Sequence, residues 1–235
     1  DMVTFDDVQN NPEIQALIRE AGHVLSVMNY TEHGLRHVSY VSRTAHMILT
    51  KLGYDEKTCE LAKIAGYIHD VGNMINRKNH GITAATLCYP ILRDMGMDLD
   101  DVCEICAAVG NHEEEIGWVV NPIAAALIIA DKSDAHRTRV KRIAQHFDDI
   151  HDIVNYSIRK NIVLVDSEHK IISIKFYMDN SSSVMDYLRL FLPRMMMCEK
   201  AARFLGCAFR LYINDIIINT VRQMSPNQID KAGEE

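Results

Sequence analysis

The sequence predicts a mainly α-helical protein: a helical bundle over residues 1–158, then a small α+β unit over 159–222 with two β-hairpins and one helix. Residues 223–235 read as a flexible tail. Three observations predict this arrangement. Up to about residue 158, apolar residues recur three and four apart, the period of a helix with one buried face. Near residue 160 that pattern gives way to short β-rich runs bounded by turn residues. Within the helical part, histidines and aspartates interrupt or end the apolar stripes.

Residues 6–30 carry Ile14, Leu17, Ile18, Ala21, Leu25 and Met28 on one face and read as one or two helices. After a break at Tyr30-Thr31-Glu32-His33-Gly34, a helix is predicted over 35–52, with Val41, Ala45, Ile48 and Leu52 on its stripe. His37, four residues before Val41, continues that stripe inward, and His33 lies one turn earlier. Asp55 caps the next helix. Its Leu61, Ile64, Ala65 and Ile68 predict burial, and it ends at Ile68-His69-Asp70-Val71-Gly72-Asn73. Gly72 is expected as the left-handed residue that closes it.

Asn79 is read as the cap of a following helix and Pro90 as the residue that kinks or ends it. Residues 98–110 are amphipathic, with Val102, Ile105, Cys106 and Val109 inward and His112 just beyond. Asn121-Pro122 signals a cap and first turn, and the apolar run behind it ends on Asp131. A further helix over 140–158 carries Ile143, Ala144, Phe147, Ile150 and Val154. The β-rich runs 162–165 and 171–176 join through the turn 166–169; a helix over 181–205 is closed by Gly206; and 209–213 pairs with 216–218 across Asn214-Asp215.

Apolar residues make up 48% of the chain, enough for a substantial core. A net charge of -7 with no basic cluster predicts no nucleic-acid partner and no acidic-membrane partner. No apolar run approaches a membrane span and the first residues are not a signal peptide, so a cytoplasmic location is expected. Six cysteines at irregular positions suggest no disulfide framework. Cys103 and Cys106 form a lone CxxC inside a helix and read as two buried small side chains; Met195-Met196-Met197 reads as packing. His46, His136, His146 and His151 read as helix-surface residues.

The chemistry concentrates in His37, His69, Asp70, His80, His112 and Asp131, which come from five segments at helix ends or on inward faces. A buried carboxylate without a partner is costly, so Asp70 and Asp131 call for a cation, and the adjacent imidazoles suggest a metal. Neutral imidazoles with carboxylates suit iron, manganese, zinc or nickel rather than calcium. Four histidines and two aspartates exceed the needs of one tetrahedral ion, so two ions are expected. Lys132, Arg137 and, less so, Arg139 lie just past Asp131, where a cation can hold phosphate oxygens.

In this order the residues resemble the HD-domain metal-dependent phosphohydrolases. His33-Gly34-Leu35-Arg36-His37 looks like the first signature of that family, Ile68-His69-Asp70-Val71-Gly72 its namesake, and Ala130-Asp131-Lys132-Ser133-Asp134 its last. His80 and His112 match the subset with a two-metal site, and the resemblance spans about residues 30–140. It implies an HD-type bundle in which His37, His69 and Asp131 hold one ion and His80 and His112 the other, with Asp70 between. The ions would be divalent, iron or manganese first and zinc, nickel or magnesium as alternatives. Asn73 stands where many relatives carry lysine, and the Gly-Tyr-Pro signature of cyclic-di-GMP phosphodiesterases is absent after His112.

The expected activity is hydrolysis of a small phosphorylated, nucleotide-like mono- or diester by metal-activated hydroxide. Asp70, Lys132 and Arg137 would be catalytic, and His33, Asn73, Lys132 and Arg137 would contact substrate. Two alternatives belong to other classes: an HD-fold mixed-valent di-iron oxygenase, and a non-catalytic nucleotide-binding domain. A homodimer is a further expectation.

Overall fold

The computed structural model describes residues 1–28, 30, 34–135 and 150–219. His33, His136, Arg137, Arg139, His146, the first part of the helix expected from residue 140 and the tail from residue 220 lie outside the described residues.

Helix starts follow the capping residues. Helix α1 (Phe5–Gln9) is opened by a Thr4–Asp7 capping box, and α2 (Pro12–Val27) by Asn11 with Pro12 in the first turn. Helix α3 spans Leu35–Lys51 and α4 spans Glu56–Ile68, the latter capped by Asp55, which accepts from Thr58 N. A 3-10 turn, Val71–Met74, leads to α5 (His80–Asp94) and α6 (Leu99–Gly110), with Asp98 capping α6. In α7 (Pro122–Lys132) Asn121 Oδ1 accepts from Ala124 N at 2.8 Å. Every residue from Ile123 to Lys132 is buried, so this helix is the axis of the bundle. It packs against α3, α4 and α6.

Helix α8 (Ile150–Ser157) runs into strand β1 (Ile158–Asp166), which pairs antiparallel with β2 (Ile171–Met178). A Ser183–Asp186 capping box opens α9 (Val184–Phe204), and Gly206 at φ +75° closes it. Strand β3 (Ala208–Ile213) lies parallel to β2 and antiparallel to β4 (Ile216–Ile217), so the strand order is β1-β2-β3-β4. The two expected hairpins thus share one sheet, joined by the α9 crossover. Ile172, Ile174 and Phe176 alternate onto a buried face, where the Phe176 and Tyr187 rings lie 5.2 Å apart. Helix α9 also packs on α7, and one continuous apolar cluster runs from the bundle into the sheet.

Several local expectations are corrected. Gly72 is not left-handed; it sits in the 3-10 turn, where a Cβ would collide with His80 O and come within 2.7 Å of Ala84 N. Close approach of α5, rather than helix closure, requires glycine there. Asn79 holds the cap position of α5 at φ 57°, but its side chain makes no cap hydrogen bond. Pro90 lies inside α5 and does not end it; the helix continues to Asp94. Cys103 is exposed, because the inward stripe of α6 falls on Val102, Ile105 and Val109. Strand β1 begins at Ile158, four residues before the β-branched run, since the buried face of Ile158 extends the pairing to Met178.

Candidate metal centre

Each of the six expected residues is placed by a helix end or first turn. His37 lies in the first turn of α3, and His69 is the C-cap residue of α4, followed by Asp70. His80 is the first residue of α5, His112 follows α6, and Asp131 is the penultimate residue of α7. All six are buried.

Their ligand-capable atoms converge. His37 Nε2 is 3.3 Å from His69 Nε2 and 3.1 Å from Asp131 Oδ1, and His69 Nε2 is 3.3 Å from that same oxygen. His80 Nε2 lies 3.0 Å from His112 Nε2. Asp70 joins the two groups: Oδ2 is 3.3 Å from His37 Nε2, while Oδ1 is 3.4 Å from His69 Nε2 and 3.3 Å from His80 Nε2.

The opposite ring nitrogens settle what these contacts are. Nδ1 of His69, His80 and His112 faces the carbonyl oxygens of Gly66, Arg77 and Val109 at 2.7, 3.0 and 2.6 Å. His37 Nδ1 faces Asp134 Oδ2 at 2.6 Å. A carbonyl only accepts, so each of those three Nδ1 atoms donates its proton outward. In the neutral ring the Nε2 atoms are then lone pairs, and they point at one another. Burial, with His69, His80 and Lys132 adding to it, holds the His112 imidazole well below its ordinary pKa, so it is a neutral base. For Asp131, burial acts to raise the pKa, but the positive charge of Lys132 outweighs it and keeps the carboxylate charged. Converging lone pairs and carboxylate oxygens with no proton between them repel unless a cation sits among them. The residue set therefore fits a divalent metal, and outward Nδ1 donation to oxygen is the usual way protein holds a metal-binding histidine.

Surrounding groups hold this arrangement. Asp134 Oδ2 also accepts from Arg36 Nη2 at 2.8 Å. Lys132 Nζ donates to His112 O at 2.8 Å and Asp131 Oδ2 at 2.9 Å, with Glu114 Oε1 at 3.5 Å. Glu113 Oε1 accepts from Gly81 N at 2.6 Å. Asn73 is fully buried; its Nδ2 donates to Asp70 O at 2.9 Å and its Oδ1 accepts from Arg77 at 3.2 Å. It is not among the residues that line the cavity.

That cavity, of about 570 Å³, opens over Asp70, His80, His112 and Asp131. Arg77, Lys132 and Arg194 bring positive charge to its walls, and Glu113, Glu114 and Glu115 bring negative charge. His151, exposed as expected, stands at its edge. Asp134, Glu113 and Glu114 neighbour the sequence motifs but carried no pattern of their own. Arg77 and Arg194 had no sequence signal, since nothing in the periodicity of α9 marks the residue that reaches the bundle.

A buried cluster of histidines and aspartates at the meeting point of five helical segments defines a metal-binding helical domain. The HD domain family model matches residues 34–152, just over half of the chain, and the chain belongs to that family. It is 29% identical over 139 residues to a protein named Ribonuclease Y of Alkaliphilus metalliredigens, covering 59% of this chain and 28% of that one. A second Ribonuclease Y, of Lawsonia intracellularis, is 31% identical over 118 residues, covering 50% and 21%. An uncharacterized protein of Methanocaldococcus jannaschii is 22% identical over 205 residues, covering 77% and 78%. The chain thus spans about a quarter of the length of the Ribonuclease Y relatives it matches. No helix among the described residues is long and apolar enough to cross a membrane.

Proposed function

We propose that the protein is a metal-dependent phosphohydrolase acting on a small, nucleotide-like phosphate ester. The observation that carries this reading is the convergence of four imidazole Nε2 atoms and two carboxylates at the floor of a polar cavity. In it His37, His69 and Asp131 would hold one divalent ion, iron or manganese, and His80 and His112 a second. Asp70, which lies between the two groups, would serve both. Such ions supply positive charge to phosphoryl oxygens and acidify water for attack on phosphorus.

The protein's own residues set the geometry. Asp134 orients His37 and raises the basicity of its inward nitrogen. Lys132 fixes Asp131 and the His112 backbone with two of its donors, leaving the third toward Glu114. It reaches a phosphate oxygen only in exchange for Glu114. Arg77, tethered by Asn73, presents its cation at the cavity wall, so Asn73 positions rather than contacts substrate. Arg137, just past Asp131, and His33, one turn before His37, remain substrate contacts in this reading by their place in the sequence.

Assay of bis(p-nitrophenyl) phosphate and p-nitrophenyl phosphate with manganese or iron tests the reading. Hydrolysis that vanishes in Asp70→Asn supports it. Hydrolysis and metal content both unchanged in that variant would exclude the mechanism. Cleavage of RNA phosphodiesters is a second reading, supported by the name of the relatives. The net charge of -7 and the three glutamates at the cavity oppose it, and a labelled single-stranded oligonucleotide in the same assay separates the two.

A further inference from the structure

Helix α9 lies outside the residues matched by the HD family, yet it supplies one wall of the cavity through Leu190, Phe191, Pro193 and Arg194. Arg194 is the charged member of that wall. Its guanidinium lies over the Phe191 ring at 5.3 Å, and its Nε is 3.2 Å from Glu114 Oε1. Phe191 is itself packed against Tyr187 at 5.1 Å. The planar cation is therefore stacked on one face and paired in charge with Glu114 before any ligand arrives. Its side chain is 22% exposed. Among the described residues, no protein group accepts a hydrogen bond from its Nη atoms, so the open edge of the fork is available to a ligand.

Charge order along the wall says which part of a ligand this edge meets. A series of charges runs from Asp131 through Lys132 and Glu114 to Arg194, each touching the next at 2.9, 3.5 and 3.2 Å. A phosphoryl group reacting at the His/Asp cluster lies at the inner end of that series. Arg194 is three contacts from Asp131 along that series and addresses the next group of the ligand. A guanidinium edge with paired N–H donors matches two oxygens of a phosphate. The cavity, at about 570 Å³, is of the size that admits a nucleotide.

We infer that Arg194 is a specificity-determining residue that holds a second phosphoryl group of the substrate, so that the C-terminal unit selects compounds with adjacent phosphates, such as nucleoside di- and triphosphates. This rests on the phosphohydrolase reading above. Calorimetric titration of the metal-loaded full chain with inorganic pyrophosphate and with inorganic phosphate, in excess magnesium, tests it by binding rather than turnover. Wild type is expected to prefer pyrophosphate by about tenfold or more, and Arg194→Ala to lose most of that preference while keeping phosphate affinity within about twofold. Arg194→Lys, which keeps the charge without the fork and preserves folding if alanine does not, is expected to lose part of it. No preference in wild type, or an unchanged preference in folded Arg194→Ala or in Arg194→Lys, overturns the inference and leaves the phosphohydrolase reading intact. Failure of both anions to bind, with no ester hydrolysis, overturns both.

Discussion

His80 Nε2 and His112 Nε2 face each other at 3.0 Å while each ring donates its Nδ1 proton to a backbone carbonyl three residues back. Neither has a proton to offer the other. That relationship gives the pair, with Asp70, ligand atoms that could hold a metal ion, and it follows from where α5 begins and α6 ends.

Removing one of the pair should therefore empty one site and spare the other. His112→Ala is expected to lose about one metal equivalent per chain, while the His37 side retains its ion. Elemental analysis of dialysed protein checks this. Loss of both ions would mean that the two sites fill together.

Asp134 does not reach the centre but orients His37 from behind. Asp134→Asn is expected to weaken metal affinity or activity by roughly 10–100-fold with little change in fold. Competition against a chromogenic chelator, alongside circular dichroism, measures the two effects separately.

Gly72 sits where α5 crosses the turn after His69-Asp70. Gly72→Ala places a methyl group against the His80 backbone, and overpacking of this kind costs about 1–3 kcal/mol. A shift of that size in the urea midpoint is expected, together with weaker binding at His80. An unchanged midpoint would mean that α5 can move away freely.

The bundle and the six residues of the centre were legible because their signals are local. His37 lies on one helical stripe with Val41, and His69 closes the apolar helix that ends at Ile68, so local pattern alone carries each polar residue into the core. Family resemblance then supplied their division between two ions. Gly72 was misread because a glycine after a buried helix has two physical explanations, left-handed closure and close approach, and only the position of α5 separates them. Pro90 does not end α5, because a proline inside a helix removes a single hydrogen bond, a loss that packing of Cys88 and Leu92 can offset. Arg194 was invisible for another reason. Its meaning comes from the docking of α9 on α7, a contact between distant segments that no local pattern reports.

Away from the site, Asp179 links β2 to β1. Hydrogen bonds from Ser181 and then the Arg159 guanidinium pull its carboxyl down to about 2, against a slight opposing effect of burial. A pKa depressed on folding adds stability that is present above the unfolded value, about 3.9, and is lost as pH falls toward 2. The urea midpoint of wild type should exceed that of Asp179→Asn at neutral pH. The difference should shrink between about pH 4 and pH 2. A difference that grew on acidification would contradict the assignment.

The central claim is that the six converging residues hold divalent ions, with Asp70 touching both sites. Metal content per chain, measured by elemental analysis on untagged protein purified without chelator, tests it most directly. The expected result is close to two transition-metal ions per chain, falling in Asp70→Asn. No bound metal, even after anaerobic reconstitution with iron or manganese, would contradict it.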